Sequence, residues 1–531
     1  MTLIGNRYRL YEKLGAGGMG AVFRAEDRLT GEMLALKRVS LPEDENADQM
    51  RLALSREFRM LASLRHPNII SVIDYGFDAE RLPYFTMDWL QNAQPITTAG
   101  AKADLNERVR LLTDMLRALA YLHRRGVIHR DLKPANVLVE KGGRVKVLDF
   151  GLAMERSNLN DSDVGTNMTG TLAYLAPELL TETPPSIASD LYAVGVMAYE
   201  LFTGKYPYSM KNAALLISQI FSLMPDLSEI PANLIPVIAG LLVKDPLKRY
   251  QNADQVVAAL AQVVEQPLAP ESVEIRESYI RASTFVGREE ELSQLGKALD
   301  SAFKGKGSAW LVGGESGVGK TRLMDEIRIP ALVKGALVVR GHVSQKGLPY
   351  ELWRDTMRRL VITTPLSDLE AGVLRAVVPD IETLVDRPIP DAPPLDGHAS
   401  HQRLTLTITD VLARQTQPLV LLLEDLQWAE ESLDVLKHAL GFAGEKSWLI
   451  IGTYRDDEAP ELPDMLSHIR VIKLARLSDT EIASLSEAML GEIGKESFVL
   501  DLLKKESEGN TFFITEVARV LLEESGGMDE V

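Results

Sequence analysis

Six short motifs follow one another in a fixed order between Gly15 and Glu178, and that order constrains the fold more than any motif does alone. The first is Gly15-x-Gly17-x-x-Gly20-x-Val22. A glycine triplet of this kind also opens dinucleotide-binding folds, where a helix must follow. Here Ala21-Val22-Phe23 follows, then a turn at Leu29-Thr30-Gly31-Glu32, then a second β-type run from Met33 to Val39. Strand–loop–strand predicts a glycine flap over nucleotide phosphates, with Lys37 on the next strand reaching under it. The helical pattern from Met50 to Leu64 carries Glu57, placed to hold that lysine. His129-Arg130-Asp131-Leu132-Lys133-Pro134-Ala135-Asn136 comes next, then Asp149-Phe150-Gly151, then Ala176-Pro177-Glu178. A glycine-rich hairpin, a buried Lys–Glu pair or a lone Asp-Phe-Gly is usually structural. Six elements in one order predict a single phosphoryl-transfer site.

These residues resemble the eukaryotic-type (Hanks-type) protein kinases, from Tyr8 to about Val264. The resemblance implies a bilobal α+β fold, with a small lobe over about residues 1–90 and a large lobe over about 91–265. It implies that Leu14, Gly15, Gly17, Gly20, Val22 and Ala35 surround ATP, with Met87 as gatekeeper and Asp88, Trp89 and Leu90 as the hinge. Lys37 would bind the α- and β-phosphates and pair with Glu57. Asp131 would accept or orient the proton of the substrate hydroxyl, and Asn136 and Asp149 would hold Mg2+, with Mn2+ as an alternative. Lys133 and the Gly170-Thr171 pair match the serine/threonine form. Glu178, Arg249 and Asp190 are, in the family, structural supports. Arg130 before the aspartate goes with control by phosphorylation of the 154–169 loop, where Ser162, Thr166 and Thr169 are the candidate sites. No lysine, catalytic aspartate or metal aspartate is missing, which argues against a pseudokinase.

A second phosphate motif follows. Gly314-Glu315-Ser316-Gly317-Val318-Gly319-Lys320-Thr321 lies between an apolar strand pattern at Trp310–Gly313 and a helical one at Arg322–Ala331. In that context the loop amides and the helix N-terminus cradle phosphates, Lys320 reaches the β/γ-phosphates and Thr321 binds Mg2+. Strand patterns at 336–340, 418–423 and 448–453, alternating with helices, predict a covered parallel sheet. Glu424 and Asp425 end one strand, and Arg455 follows another as a candidate γ-phosphate sensor. Phe285-Val286-Gly287-Arg288, the phosphate loop, Leu423-Glu424-Asp425 and Glu508-Gly509-Asn510-Thr511 together resemble the AAA-like STAND class of signal-transduction ATPases, over roughly Thr284 to Leu522. The resemblance implies an α/β P-loop ATPase core at 284–470 and a helical lid at 471–531. Two positions depart from it. Glu424 stands where that class more often has Asp, which implies slow hydrolysis or a role shared with Asp425, and Thr511 replaces the usual lid proline. The class continues into a winged-helix domain, so the expectation is a truncated lid and a longer protein.

Composition fits several globular domains. The chain has 531 residues, 46% of them hydrophobic and 25% charged, which excludes a disordered or collagen-like chain. A net charge of −17 without a basic run argues against nucleic-acid or anionic-membrane binding. The absence of cysteine excludes disulfides, thiolate metal sites and cysteine nucleophiles. Stretches free of charge, such as Ile230–Val243, fall short of the roughly 18–20 residues that span a bilayer. The expectation is a soluble cytoplasmic protein. Residues 266–283, with Pro267 and Pro270, read as a linker, and 379–394, rich in proline, as a surface excursion. The functional reading is a serine/threonine protein kinase that phosphorylates protein substrates and itself. The second nucleotide site would switch it through nucleotide-dependent assembly. The alternative is a STAND-type assembly platform with secondary kinase activity; a small-molecule kinase ranks last.

Overall fold

The computed structural model describes residues 2–17, 20–39, 47–149, 172–181, 183–263, 272–281 and 285–524. Phe150, Gly151, Gly170, Thr171 and the candidate phosphosites Ser162, Thr166 and Thr169 lie outside them. The chain forms two compact units, Met1–Leu41 with Asp74–Thr86 and Ser283–Val531, and Pro42–Ile73 with Met87–Ala282.

In the first unit, a six-stranded sheet runs in the order Leu3–Ile4, Tyr8–Gly17, Gly20–Asp27, Met33–Val39, Pro83–Asp88, Val72–Phe77. Tyr8, Leu10, Ala25, Leu34, Leu36 and Tyr84 form its core. The flap hairpin pairs Gly17 with Gly20, and register shifts between Leu10, Lys13 and Gly15 bend its first strand. The same unit holds a second sheet, entirely parallel, in the order Leu337–His342, Leu419–Glu424, Trp448–Tyr454, Ser308–Gly313, Ile469–Lys473. Its central strands are apolar on both faces because both are covered. Leu421, Leu423 and Ile450 enter one core, and Val420, Leu422, Leu449 and Ile451 the other. The strand that feeds the phosphate loop lies between Trp448–Tyr454 and Ile469–Lys473, so the loop opens at the carboxyl edge where a ligand site belongs. Helices Asp479–Leu490, Ser497–Ser507 and Thr511–Glu524 follow, the first started by a Ser478–Glu481 capping box.

The second unit is mostly helical. Helix Leu105–Arg124 starts on the Asp104 side chain, which accepts from the Glu107 N–H. Helix Ile187–Thr203 is mostly apolar and nearly all buried, Asp190 included, and Gly204 closes it in the left-handed conformation. A small sheet, Gln94–Pro95, Val137–Val139 and Val145–Val147, frames the loop between its last two strands and the His129–Asn136 segment before them.

Two expectations differ from the structure. The 266–283 stretch contains a helix, Val273–Arg281, with Ile275 and Ile280 buried and Glu274 3.8 Å from Arg144. Its charges masked two apolar anchors. The 379–394 stretch is not only a surface excursion: Ile381, Leu384 and Ile389 are buried in the core of the parallel-sheet domain. Among the described residues no helix is long and apolar enough to cross a membrane.

Candidate functional site

Asp131, Lys133 and Asn136 converge within a few ångströms in the second unit. Asn136 Nδ2 donates to the Asp131 carbonyl at 2.8 Å and to Asp131 Oδ2 at 2.9 Å. Lys133 Nζ lies 3.1 Å from Oδ1 and 2.8 Å from Oδ2 of the same carboxylate. An amide and an ammonium therefore fix the orientation of Asp131 before any substrate arrives. The Leu148 N–H donates to the Asn136 carbonyl at 2.9 Å, which tethers the backbone leading into Asp149 to the same loop.

The loop itself hangs from Asp190, in the first turn of helix Ile187–Thr203. Asp190 accepts from the His129 N–H at 2.8 Å, the Arg130 N–H at 3.0 Å and His123 Nε2 at 2.9 Å. Arg130 (φ 71°) and Asp149 (φ 47°) both adopt the left-handed conformation without being glycine. Burial pushes the His129 imidazole below its ordinary value, and its Nε2 bonds the Leu148 carbonyl at 2.9 Å. A shallow pocket beside Asp131 has Leu175, Leu179 and Ala193 in its wall. Below it, Arg249 grips Glu178 through Nη1 at 2.8 Å and Nη2 at 3.1 Å, both side chains buried. Glu57 is buried and Met87 closes a buried stretch, with Asp88, Trp89 and Leu90 half-exposed. The Asp88 N–H donates to the Ser71 carbonyl at 3.0 Å.

In the first unit, the flap strand and the lysine strand are neighbours: Val22 pairs with Lys37, and Gly20 with Val39. Lys37 and Ala35 are buried, and the Lys37 ammonium stands 5.8 Å from the centre of the Phe85 ring. The flap glycines have different reasons. A Cβ on Gly20 (φ 155°) would lie 2.1 Å from the Arg38 carbonyl oxygen, whereas one on Gly15 would meet no atom of the described residues within 4 Å. Gly20 thus lets the hairpin close on its own sheet, while Gly15 leaves its outer side open to a ligand. Leu14 is exposed beside it.

The phosphate loop joins strand Ser308–Gly313 to helix Lys320–Val333. Lys320 is buried, and its ammonium reaches the carbonyls of Gly314 at 2.6 Å and Glu315 at 2.8 Å. Burial first, then the Arg455 guanidinium, push Lys320 below its ordinary value. Two cations that repel across one loop favour an anion between them. The Thr321 hydroxyl donates to Glu424 Oε2 at 2.9 Å. Of the two acidic candidates, Glu424 therefore meets Thr321, while Asp425, left-handed at φ 57°, turns to Gln427 at 3.3 Å and His342 at 3.6 Å. Arg455 stacks on Trp428 at 5.0 Å and bonds Glu458 at 2.5 Å. A hydroxyl facing a carboxylate at a phosphate loop is a donor set suited to Mg2+.

The sequence alone passes over two contributors, Arg340 and Arg476, whereas the Glu508–Thr511 motif points to the others. Arg340 bonds Glu424 and, at 3.0 Å, Asp325. Arg476 bridges Glu315 of the loop (2.9 Å) and Glu508 of the lid segment (2.7 Å). Asn510 Nδ2 donates to the Ser316 carbonyl at 2.9 Å, and the Thr511 hydroxyl to that of Gly317. A Cβ on Gly317 (φ 82°) would lie 2.6 Å from Phe512 Cβ and 2.7 Å from Asn510 Oδ1. The Asn510–Phe512 segment thus rests on the loop at a position where a Cβ would clash. The motif around Asn510 was the available signal; the two arginines had none, since only strand register and chain reversal bring them there.

Residues 8–262 match the protein kinase domain family and residues 284–451 the AAA ATPase domain family. The probable serine/threonine-protein kinase PknB of Lactococcus lactis subsp. lactis is 33% identical over 269 residues, 49% of this chain and 42% of the relative. The probable serine/threonine-protein kinase PknB of Corynebacterium glutamicum is 34% identical over 281 residues, 49% and 43%. The serine/threonine-protein kinase PknA of Mycobacterium tuberculosis is 35% identical over 272 residues, 50% and 62%. The chain spans less than two thirds of the length of each. It carries a protein kinase domain followed by an AAA ATPase domain.

Proposed function

We propose that the kinase domain transfers the γ-phosphoryl group of ATP to serine and threonine hydroxyls of proteins, this chain included, and that the ATPase domain is a nucleotide-dependent switch of the STAND type. The observation that carries the reading is Asp131 clamped between Asn136 and Lys133 on a loop suspended from Asp190. The substrate hydroxyl oxygen bonds to the γ-phosphorus as the bond to the β–γ bridging oxygen breaks, and ADP leaves. Asp131 takes the hydroxyl proton. Lys133 keeps a positive charge against that carboxylate, where the migrating phosphoryl also needs one. Lys37 belongs to the α/β-phosphates. Mg2+ would be held by Asn136 and Asp149 and would neutralise phosphate charge; at the second site Thr321 and Glu424 would hold it. The apolar wall of Leu175, Leu179 and Ala193 suits an uncharged side chain beside the acceptor residue. A cytoplasmic setting belongs to this reading.

The test is incubation of the full chain with radiolabelled ATP and Mg2+, beside Asp131→Ala, with mapping of labelled residues. Label in the parent alone, at Ser162, Thr166 or Thr169, is the expected result. Equal labelling of both proteins refutes the assignment of Asp131. The platform reading, with kinase activity secondary, draws on the assembled lid over the phosphate loop. Lys320→Ala separates the two: a change in sedimentation without a change in autophosphorylation favours the platform.

A further inference from the structure

Within the first unit, kinase-domain and ATPase-domain residues interlock. The Arg28 guanidinium donates to the Leu384 carbonyl at 2.7 Å. In return, Arg358 donates to the Leu29 carbonyl at 2.6 Å and to Asp380 at 2.7 Å. The Leu29 side chain packs against the core of the ATPase domain. Gly335, just past helix Lys320–Val333, faces the Phe77 ring so closely that a Cβ there would lie 3.2 Å from it.

Behind this contact lies a buried charge cluster. Arg7 bonds Asp27 at 2.6 Å and Asp74 at 2.8 Å, and the Tyr8 hydroxyl donates to Asp74 at 2.9 Å. Burial alone would raise the Asp74 carboxyl; Arg7, then Arg359 and Arg328 of the ATPase domain, outweigh it and hold the carboxyl below its ordinary value. Among the described residues Arg359 Nη1 is buried without a hydrogen-bond partner, and its charge attracts the Asp74 carboxylate. Arg328 lies on the same helix whose first residues are Lys320 and Thr321.

We propose that the ATPase domain holds the kinase small lobe through the Arg28–Leu29 turn and the Asp74–Phe77 stretch, with helix Lys320–Val333 linking the phosphate loop to that contact. This rests on the switch reading above and names its surface. One end of the helix carries the loop's Lys320 and Thr321. The other carries Arg328 and leads to Gly335. A rigid helix with one end at each site is the kind of element that moves as one body.

The test is hydrogen exchange on the full chain, which needs no catalytic activity. Arg358→Ala removes the hydrogen bond to the Leu29 carbonyl together with that to Asp380, and Leu29→Ser removes one apolar anchor. Each is expected to speed exchange in residues 24–34 by about tenfold, the effect of one lost bond of ordinary strength. Arg28→Ala, on the outer rim, provides the same reading if Leu29→Ser fails to fold. Unchanged exchange at 24–34 in all soluble variants overturns the docking. With ATP present, Lys320→Ala is expected to differ from the parent at residues 24–34 and 74–86; identical exchange overturns the role of the helix. Absent kinase activity with altered exchange sinks the kinase reading and leaves the docking standing.

Discussion

Asp190→Asn is the sharpest probe of the kinase site, because it removes one charge and no volume. The carboxylate of Asp190 accepts the N–H groups of His129 (2.8 Å) and Arg130 (3.0 Å) through separate oxygens. It also accepts a hydrogen bond from the His123 Nε2–H, since a carboxylate can only accept. An asparagine keeps one acceptor oxygen and turns an NH2 toward a remaining N–H. A hydrogen bond to a charged group contributes about 1.5–3 kcal/mol, and an orphaned buried donor costs about 1–3 kcal/mol. The net loss is roughly 3 kcal/mol, concentrated on a loop whose Arg130 already sits at φ 71°. At 1.36 kcal/mol per tenfold, the competent loop falls about 10²-fold in population. The expected result is a kcat loss of about 10²-fold, with KM for ATP nearly unchanged, because Gly15, Gly17, Gly20 and Lys37 belong to the six-stranded sheet and the perturbed loop does not. The assay is steady-state phosphorylation at saturating ATP, with exchange of the His129–Arg130 amides read in parallel. A kcat within threefold of the parent would show that the loop does not depend on its carboxylate, and the argument would fail.

Arg249→Ala leaves Glu178 buried without its cation and should destabilise the second unit by about 3–5 kcal/mol, read by urea denaturation, with Arg249→Lys intermediate. His66 is buried, with Nδ1 accepting from the Asn68 N–H at 3.0 Å; burial, then Lys146 and Arg117, push it down to about 3. The unfolded chain takes up this proton near pH 6.5 and the folded one does not. Stability is therefore full above about 6.5 and falls by up to 1.36 kcal/mol per pH unit toward 3, a slope that His66→Gln should flatten in pH-dependent unfolding. Thr321→Ala, in a Lys37→Ala background that silences the kinase site, should weaken Mg2+-dependent ATP binding at least about tenfold by calorimetry, and EDTA should abolish the difference. Gly317→Ala should separate lid from loop, since its Cβ would overlap Phe512 and Asn510; faster exchange across 509–524 would report it.

Local chemistry explains which parts of this molecule were legible in its sequence. The catalytic loop was readable because Asp131, Lys133 and Asn136 lie within six residues, so the short spacing almost dictates their contacts. The phosphate loop was readable for the same reason, and so were the strands of the parallel sheet, whose unbroken apolar runs admit little else. Arg340 and Arg476 were not, because Arg340 meets Glu424 across 84 residues of chain and Arg476 meets Glu315 across 161, and a surface arginine looks alike whether it meets water or a carboxylate. The helix at 273–281 failed by a different route. Only two of its aliphatic residues, Ile275 and Ile280, are buried, and they stand among charges, too few for periodicity to register yet enough to bury against an existing surface. Gly20 shows the limit of motif reading. Its glycine was legible and its position correct, but the nearest constraint on it is the Arg38 carbonyl of its own sheet. A motif reports that a side chain is forbidden. Only the fold says which neighbour forbids it.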